Sequence, residues 1–297
     1  MRLCFILEEL YQNDEMPMSV ATHVRGLGHT VDILEPHASV TELGGRRDHP
    51  YDAYVLKTAP DGPGLSILES AGAAGVPTMN PWRSIRLARD KAVAVAVARA
   101  NGLPMPRTFL VNSPELLALI ERRHYPLVVK PCDGGGGRAV YRVNHPAELA
   151  DLGLPGRGRY LAQTYVENAG FDVKVYNTGR EVFAVRWPSP LHDDLLVTPE
   201  LLPVSDGLRE ITLAFGSAFG LKIYGVDLLA TARGWVAVDV NDFPSFHEVP
   251  DAVGRVASSI LEIAGATPRF SGDGQRRPPR FKRLERDLPL AAGSAPV

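Results

Sequence analysis

An apolar strand that ends in a lysine and runs toward four glycines is the first place where this sequence could do chemistry. Lys130 is the one charged residue of Leu127–Pro131, and Gly134–Gly137 follow shortly after. Glycines allow backbone N–H groups to approach an anion closely, and a lysine adds a charge suited to a phosphate. The segment predicts a phosphate contact. The alternative is an ordinary hairpin turn, for which four glycines are excessive, and no Gly-Lys-Ser/Thr follows as in a Walker loop.

Carboxylates within two apolar strands form a second candidate site. Asp227 lies within Gly225–Leu229, and Asp239 and Asn241 alternate with Val238 and Val240. Residues two apart on a strand share one face, so three oxygen ligands converge if Asp227 lies on the neighbouring strand. Hard oxygen donors suit Mg²⁺, which also takes phosphate oxygens. These residues therefore predict a Mg²⁺ site. The alternative is a pair of surface-facing aspartates.

Three basic residues could complete a site for a triphosphate. Lys91 lies in a predicted helix, and Lys174 and Arg186 lie in β-rich segments. A charge in such a strand needs a partner, which a triphosphate with its metal would supply. Each residue alone is more often part of a solvated face.

The first part of the chain predicts a unit that would support these residues from one side. Strands at 2–7, 31–34 and 53–57 alternate with a helix at 20–27. This alternation predicts a parallel sheet with right-handed crossovers, and we assign residues 1–82 to a Rossmann-like N-terminal domain. No Gly-x-Gly-x-x-Gly turn follows the first strand, so we expect no dinucleotide site there.

The remainder predicts two further lobes and a tail. A helix at 84–100, helices near 114–122 and 146–152, and strands at 108–111, 127–131, 138–143 and 160–165 indicate a central lobe over residues 83–165. A hairpin at 172–176 and 181–187, strands at 223–230 and 235–241, and helices at 207–219 and 251–264 indicate a C-terminal lobe over residues 166–270. Residues 271–297 contain six basic residues, three acidic residues and four prolines, which predicts a flexible basic tail.

Composition excludes several classes of protein. The chain has 297 residues, 45% of them hydrophobic, and a formal net charge of −2, so no global field favours nucleic acid or a membrane surface. No apolar stretch of about 18 residues could span a bilayer. Two unrelated cysteines, Cys4 and Cys132, indicate a reducing compartment, and no signal peptide is evident. We therefore expect a cytoplasmic protein; the sequence specifies no oligomeric state.

These segments, in this order, resemble the ATP-grasp superfamily over roughly residues 50–265. The stretches 75–80, 90–91, 102–108 and 129–137 resemble RimK-type carboxylate–amine ligases. The stretches 163–166, 174–176, 225–227 and 239–244 are similar to the ATP-grasp inositol polyphosphate kinases. The resemblance implies an ATP-grasp fold: α/β overall, with an N-terminal Rossmann-like unit and two α+β lobes that clasp ATP.

The sequence departs from these families at three positions. Asp239 stands where RimK-type ligases usually carry Glu, and Ser245 stands where both groups usually have Gly. Trp187 directly precedes Pro188 and Ser189. In the kinases an arginine holds that place, whereas the arginine here, Arg186, lies one residue earlier.

The resemblance also implies a role for each residue of the candidate sites. Phosphates would contact Lys91, Lys130 and Lys174, beneath a lid formed by Gly134, Gly135, Gly136 and Gly137. The hinge between the lobes would offer backbone groups to adenine at Gln163, Tyr165 and Val166. Asp227, Asp239 and Asn241 would hold one or two Mg²⁺ ions, with Mn²⁺ as a substitute. Phosphoryl transfer at such a site depends mainly on positioning and charge neutralisation.

Two enzymatic functions fit, and we favour the first. A carboxylate–amine ligase would form an acyl phosphate, with Arg186 and Lys174 as catalytic groups, and release ADP and phosphate. A small-molecule kinase would transfer phosphate to a hydroxyl, with Lys57 holding the acceptor. A non-catalytic nucleotide-binding protein is the third alternative, although the intact metal triad argues against it. The acceptor would be a small molecule or a peptide, contacted by Lys57, Ser189, His192 and Ser245.

Overall fold

The computed structural model describes residues 1–11, 13–45, 49–57, 62–132, 139–192, 196–266 and 281–283. In this part of the chain the strands form three larger sheets and one short two-stranded sheet. Each larger sheet lies within one of the ranges predicted as the N-terminal domain, the central lobe and the C-terminal lobe. The domain boundaries themselves stay a prediction.

The N-terminal sheet is parallel, in the order β2-β1-β4-β5. Helix α1 (Glu15–Gly26) starts earlier than the predicted helix because the Asp14 side chain accepts a hydrogen bond from the Met16 N–H and caps it. Helix α2 (Gly64–Ala73) was not predicted. The strands of this region are β1 (Arg2–Leu7), β2 (Thr30–Leu34), β3 (Ser39–Thr41), β4 (Ala53–Lys57) and β5 (Thr78–Met79).

The predicted helix at 84–100 is two helices, α3 (Trp82–Arg89) and α4 (Lys91–Ala100). Asp90 between them has an extended ψ of 102°, and its side chain accepts hydrogen bonds from the N–H groups of Ala92 and Val93. Asp90 therefore caps α4, which makes Lys91 its first residue.

The central sheet is antiparallel, in the order β6-β9-β7-β8. The predicted helices at 114–122 and 146–152 are 3₁₀ helices, Pro114–Leu119 and Pro146–Leu152. The strands are β6 (Thr108–Val111), β7 (Leu127–Pro131), β8 (Tyr141–Val143) and β9 (Tyr160–Thr164).

The C-terminal sheet has five antiparallel strands in the order β12-β11-β10-β13-β14. The predicted hairpin is present as β10 and β11, joined by a turn in which Gly179 has φ 104°. The elements of this lobe are β10 (Phe171–Asn177), β11 (Val182–Pro188), β12 (Glu200–Leu202), α5 (Asp206–Phe219), β13 (Tyr224–Thr231), β14 (Gly234–Asn241) and α6 (Ala252–Ala266).

Three residues of the predicted tail form a strand. β15 (Phe281–Arg283) pairs antiparallel with β3. For these residues the structure differs from the flexible tail that the composition predicts. The other residues of the tail lie outside the described part of the chain.

The N-terminal unit and the C-terminal lobe share one hydrophobic core. Leu3 and Phe5 of β1 and Val20 of α1 belong to the same buried cluster as Tyr176 of β10 and Ile260 of α6. The Asn80 side chain strengthens this junction, because it is buried and bonds to backbone groups of Lys222, Ile223 and Asp242. The two parts are therefore fixed relative to one another.

Helices α3 and α4 pack mainly on the C-terminal lobe. Ala88, Ala94 and Ala98 lie in a buried cluster with Phe215 and Tyr224. Among the described residues, no helix is long and apolar enough to cross a membrane.

Candidate active site

A cavity of about 600 Å³ lies where the three units meet. The central lobe contributes Lys130 and Gln163 to its wall, and the C-terminal lobe contributes Lys174, Asp227 and Asp239. The N-terminal unit closes one side with Tyr11, Asp14 and Lys57. Most of the residues selected from the sequence therefore face one common space.

A row of charged residues crosses three adjacent strands on the floor of this cavity. Lys174 of β10 lies opposite Asp227 of β13, which in turn lies opposite Asp239 of β14. Asn241 lies two residues beyond Asp239, on the same strand, and also lines the cavity. The condition set by the sequence, that Asp227 should lie on the strand next to Asp239, is met.

Lysines from both lobes contact this row. Lys91 Nζ lies 2.7 Å from each carboxylate oxygen of Asp239. Lys174 Nζ donates to Asp227 Oδ2 at 3.0 Å, and Lys130 Nζ donates to the Val238 carbonyl at 2.8 Å. Lys91 and Lys130 thus lie beside the carboxylates, as the predicted nucleotide site requires.

The cavity shifts the pKa values of these groups. Burial raises the pKa of Asp239, but Lys91 and Lys130 outweigh it and bring the pKa below its usual value. For Lys130, burial dominates and lowers the pKa, despite the attraction of Asp239. For Lys174, burial lowers the pKa, but the charge and hydrogen bond of Asp227, with the charges of Asp172 and Asp239, together outweigh it and raise the pKa. These opposed shifts are typical of charges that share one poorly solvated site.

The break between α3 and α4 explains how Lys91 and Arg89 reach the cavity together. Asp90 caps α4 and also forms an ion pair with Arg159, with Asp90 Oδ2 and Arg159 Nη1 2.7 Å apart. The residues on either side of Asp90 both line the cavity. A continuous helix would turn these two residues about 160° apart around its axis, on nearly opposite faces, whereas the extended residue between them changes that relation.

The donors present suit a divalent cation that also binds phosphate. No cluster of three His, Cys, Asp or Glu side chains able to hold a metal occurs in the described part of the chain. The candidate site has two carboxylates and one amide, Asp227, Asp239 and Asn241. This set is too small for a closed protein site, but Mg²⁺ commonly combines one or two carboxylates with substrate phosphates and water.

The residues predicted to form the hinge also line the cavity. Gln163, Tyr165 and Val166 all contribute to its wall, beside the apolar side chains of Val128 and Leu229. The Gln163 side chain is buried and donates to Thr108 Oγ1 at 3.1 Å. The Tyr165 N–H is bonded to the Pro126 carbonyl. A flat aromatic base would fit between such apolar walls.

Arg186 does not reach the cavity, which corrects its assignment as a catalytic group. It lies opposite Val173 on the paired strand, whereas the cavity residue Lys174 lies opposite Val185. Because side chains alternate along a strand, Arg186 points to the other face, where it pairs with Glu200 at 2.9 Å. Trp187 takes the cavity face and stacks on His247.

Three of the four residues predicted to contact the acceptor line the cavity. Lys57 is buried and donates to the Phe243 carbonyl, Ser189 is buried, and Ser245 donates to Asp14 Oδ2 at 3.2 Å. His192 lies outside the cavity wall and contacts the Tyr165 hydroxyl at 3.1 Å. The Gly134–Gly137 lid lies outside the described residues.

Sequence reasoning missed several polar residues of the wall. Asp172 is buried, and burial followed by the nearby Asp227 charge raises its pKa to about 6. Arg89 forms an ion pair with buried Asp242 at 2.6 Å. The spacing of Asp172 and Lys174 on one strand face was a usable signal. Asp14 and Arg89 could not be predicted from the sequence, because elements distant along the chain bring them to the site.

The model of the RimK-like ATP-grasp domain family matches residues 88–263, more than half of the chain. The chain belongs to the RimK-like ATP-grasp family. The solved RimK domain protein ATP-grasp from Sphaerobacter thermophilus has a similar fold, with a TM-score of 0.67 at 18% identity, covering 87% of this chain and 99% of that one. The ATP-grasp ligase PsnB, solved with a minimal precursor, Mg and ADP, gives a TM-score of 0.66 at 18% identity and covers 88% of this chain and 98% of that one.

A curated relative extends the similarity beyond the domain. A probable alpha-L-glutamate ligase of Chromohalobacter salexigens is 26% identical over 273 aligned residues, covering 82% of this RimK-like chain and 89% of the relative. The predicted ATP-grasp fold and the predicted class, an ATP-dependent carboxylate–amine ligase, are confirmed. The comparisons support the kinase alternative no better than they support the ligase.

Proposed function

We propose that this chain uses MgATP to activate the carboxylate of one substrate and joins it to the amino group of a free amino acid. A carboxylate oxygen attacks the γ-phosphorus, the bond to the bridging oxygen breaks, and ADP leaves. The amine nitrogen then attacks the acyl carbon, the carbon–oxygen bond breaks, and phosphate leaves with the electron pair. The proton lost by the amine passes to solvent.

The row of Lys174, Asp227 and Asp239, facing Lys91 and Lys130, is the observation that carries this proposal. It gathers three cations and two carboxylates at one cavity wall. The phosphates of a nucleotide pair with the lysines, and a divalent cation bound to those phosphates pairs with the carboxylates. The charges of these residues are held in place by the fold, so they need little reorganisation when charge develops during transfer.

Each side chain has a specific task in this proposal. Lys91 and Lys130 bind the α- and β-phosphates, and Lys174 orients the γ-phosphoryl group. Gln163, Tyr165 and Val166 bind adenine beside the apolar walls. Asp227, Asp239 and Asn241 hold one or two Mg²⁺ ions, with Mn²⁺ as a substitute. When bound, the metal neutralises phosphate charge and polarises the transferred group.

The names of the relatives suggest the amino acid. The relative of Chromohalobacter salexigens is named as a probable alpha-L-glutamate ligase, and PsnB was solved with a precursor. We therefore propose L-glutamate as the first amine to test, and a small molecule or a peptide as the source of the activated carboxylate. Ser189 and Ser245, which line the cavity, are proposed contacts for these substrates.

Trapping with hydroxylamine tests the proposed reaction. The protein is incubated with ATP, Mg²⁺, hydroxylamine and a panel of carboxylic acids and peptides. An acyl phosphate gives a hydroxamate together with ADP, in equal amounts. A stable phosphorylated product without hydroxamate would contradict the ligase and support a kinase, and release of AMP would contradict both.

Asp239→Asn and Arg186→Met provide the variants for this assay. Asp239→Asn removes a charge from the proposed metal site, so we expect hydroxamate formation to fall by about 100-fold or more, the loss of a charge-assisted contact in a buried site. Arg186→Met removes a charge from the same sheet on its other face, and we expect activity close to that of the unaltered protein.

A further inference from the structure

A second group of charges lines the cavity, apart from the row that faces Lys91 and Lys130. It consists of Asp14 and Lys57 of the N-terminal unit, Arg89 at the end of α3, and Asp242 directly after β14. Lys57 interacts electrostatically with Asp14, Asp242 and Arg89, which places two cations and two carboxylates together. We call these four residues the mixed-charge cluster.

Hydrogen bonds and an ion pair fix the positions of the cluster residues. The Asp14 carboxylate accepts from the Met16 N–H and from Ser245 Oγ, and lies 3.4 Å from Lys57 Nζ. Asn80 donates to the Asp242 carbonyl and so fixes the backbone of this residue. The charges therefore have defined positions rather than those of solvated surface groups.

One oxygen in this arrangement lacks a donor. Asp242 is 2% exposed, and its Oδ1 lies 2.6 Å from Arg89 Nε. Among the described residues, Asp242 Oδ2 has no hydrogen-bond partner. A buried carboxylate oxygen without a donor is unfavourable, and a cluster with a purely structural role would be expected to satisfy it internally.

Lys57 is the cationic counterpart of the Asp242 carboxylate in the cluster. It is 5% exposed, and its ammonium lies between the rings of Tyr11 and Phe243, at 5.0 and 5.4 Å from their centroids. An ammonium has three N–H donors. One donates to the Phe243 carbonyl and another can serve the ion pair with Asp14, so a third can bind an anion from the cavity. Lys57 and Asp242, which carry opposite charges, thus both line the same cavity.

We propose that the mixed-charge cluster binds the head group of a free, zwitterionic α-amino acid. Lys57 and Arg89 bind its α-carboxylate, and Asp242 Oδ2, supported by Asp14, accepts from its ammonium. This rests on the proposed function and deepens it, because it assigns the amine substrate to a position beside Asn241. A peptide with blocked ends would lack both charges, so the cluster selects a free amino acid as the amine.

Binding measurements on the full chain test this assignment without a second substrate. The protein is saturated with Mg²⁺ and a non-hydrolysable ATP analogue, and the twenty L-amino acids are screened by thermal shift. The strongest binder, with L-glutamate as the first probe, is then compared by calorimetry with its N-acetyl derivative and its α-amide. We expect each derivative to bind at least about tenfold more weakly, because each removes one charge that the cluster pairs.

Variants assign the two charges to residues. Asp242→Asn should weaken the free amino acid while leaving the affinity for the N-acetyl derivative nearly unchanged. Lys57→Met should do the same for the α-amide. The control is Asp32→Asn, which removes a carboxylate of the same unit that pairs with Arg2 at 2.7 Å outside the cavity. We expect it to bind all three ligands as the unaltered protein does.

The comparison of derivatives uses only the unaltered protein, so it decides the question even if a variant fails to fold. Equal affinity for the amino acid and both derivatives would overturn the assignment. So would a protein that binds the nucleotide analogue but none of the twenty amino acids. The proposed ligase reaction is judged separately, by whether hydroxamate and ADP form together.

Discussion

At the scale of single residues, the side of the strand decides which charges take part. Lys174 and Arg186 lie on paired strands only a few ångströms apart, yet Lys174 faces Asp227 in the cavity and Arg186 faces Glu200 outside it. The sequence correctly predicted that the proposed metal ligands lie together, because Asp239 and Asn241 are two residues apart on one strand and so share one face. It misplaced Arg186 because the register of β10 and β11 cannot be read from either strand alone.

The first prediction compares these two residues. Lys174→Met should lower kcat/KM for ATP by about 10-fold to 100-fold, because it removes a charge-assisted contact from the proposed nucleotide site. Arg186→Met should change kcat/KM by less than about twofold and stability by at most about 1 kcal/mol, since it breaks a half-exposed ion pair. Steady-state ADP release measures both. Equal losses in the two variants would show that the assignment of faces is wrong.

The second prediction concerns Asp172, whose pKa is raised to about 6 by burial and by the Asp227 charge. An acid with a higher pKa in the folded chain binds more protons when folded, so its contribution to stability falls as pH rises from about 4 to about 6. The stability of Asp172→Asn relative to the unaltered protein should therefore increase over this window, by at most about 3 kcal/mol.

Urea unfolding of both proteins at about pH 4.5 and about pH 7.5 measures this difference. Asp206→Asn is the control, because Asp206 is an exposed carboxylate in the first turn of α5. A stability difference between Asp172→Asn and the unaltered protein that is the same at both pH values would contradict the prediction.

At the scale of elements, the cap between α3 and α4 positions Lys91 at the proposed nucleotide site. The sequence predicted one helix over 84–100, since its apolar pattern continues through Asp90. The structure differs because the Asp90 side chain bonds to the N–H groups of Ala92 and Val93 and starts a new helix. Asp is favoured at such caps, but a cap inside a continuous apolar pattern is difficult to recognise without tertiary contacts.

The third prediction tests this cap with a matched pair. Asp90→Ala and Ser205→Ala each remove an N-cap, of α4 and of α5, and each should lower the free energy of unfolding by about 1 kcal/mol. Only Asp90→Ala should raise KM for ATP, by about tenfold, because it releases the helix that carries Lys91. Chemical unfolding and ADP release measure the two effects. Similar KM values in both variants would contradict a positioning role for the cap.

At the scale of the whole molecule, the N-terminal unit and the C-terminal lobe are built around one shared hydrophobic core. The sequence predicted it as a separate Rossmann-like domain from its alternating elements, and its parallel sheet is present. The sequence did not indicate that β1 and α1 share a buried cluster with α6, since such packing depends on faces that meet only after folding. This shared core brings Asp14 and Lys57 to the cavity.

The fourth prediction concerns Asn80, which joins these two parts. Asn80→Ala leaves backbone groups of Lys222, Ile223 and Asp242 without their partner, so the free energy of unfolding should fall by about 3 kcal/mol or more. Asn101→Ala, which removes an exposed side chain that donates to the Val97 carbonyl, should change it by about 0.5 kcal/mol at most. Urea unfolding followed by fluorescence measures both. Two separate transitions in the unaltered protein would contradict the shared core.

The claim on which the account depends is that Asp227 and Asp239, held opposite one another on β13 and β14, bind the metal of MgATP. Calorimetric titration with a non-hydrolysable ATP analogue, with and without Mg²⁺, tests it most directly. We predict that Mg²⁺ strengthens binding at least about tenfold in the unaltered protein and in Arg186→Met, and has no such effect in the double variant Asp227→Asn, Asp239→Asn. An equal effect of Mg²⁺ in all three proteins would contradict the account.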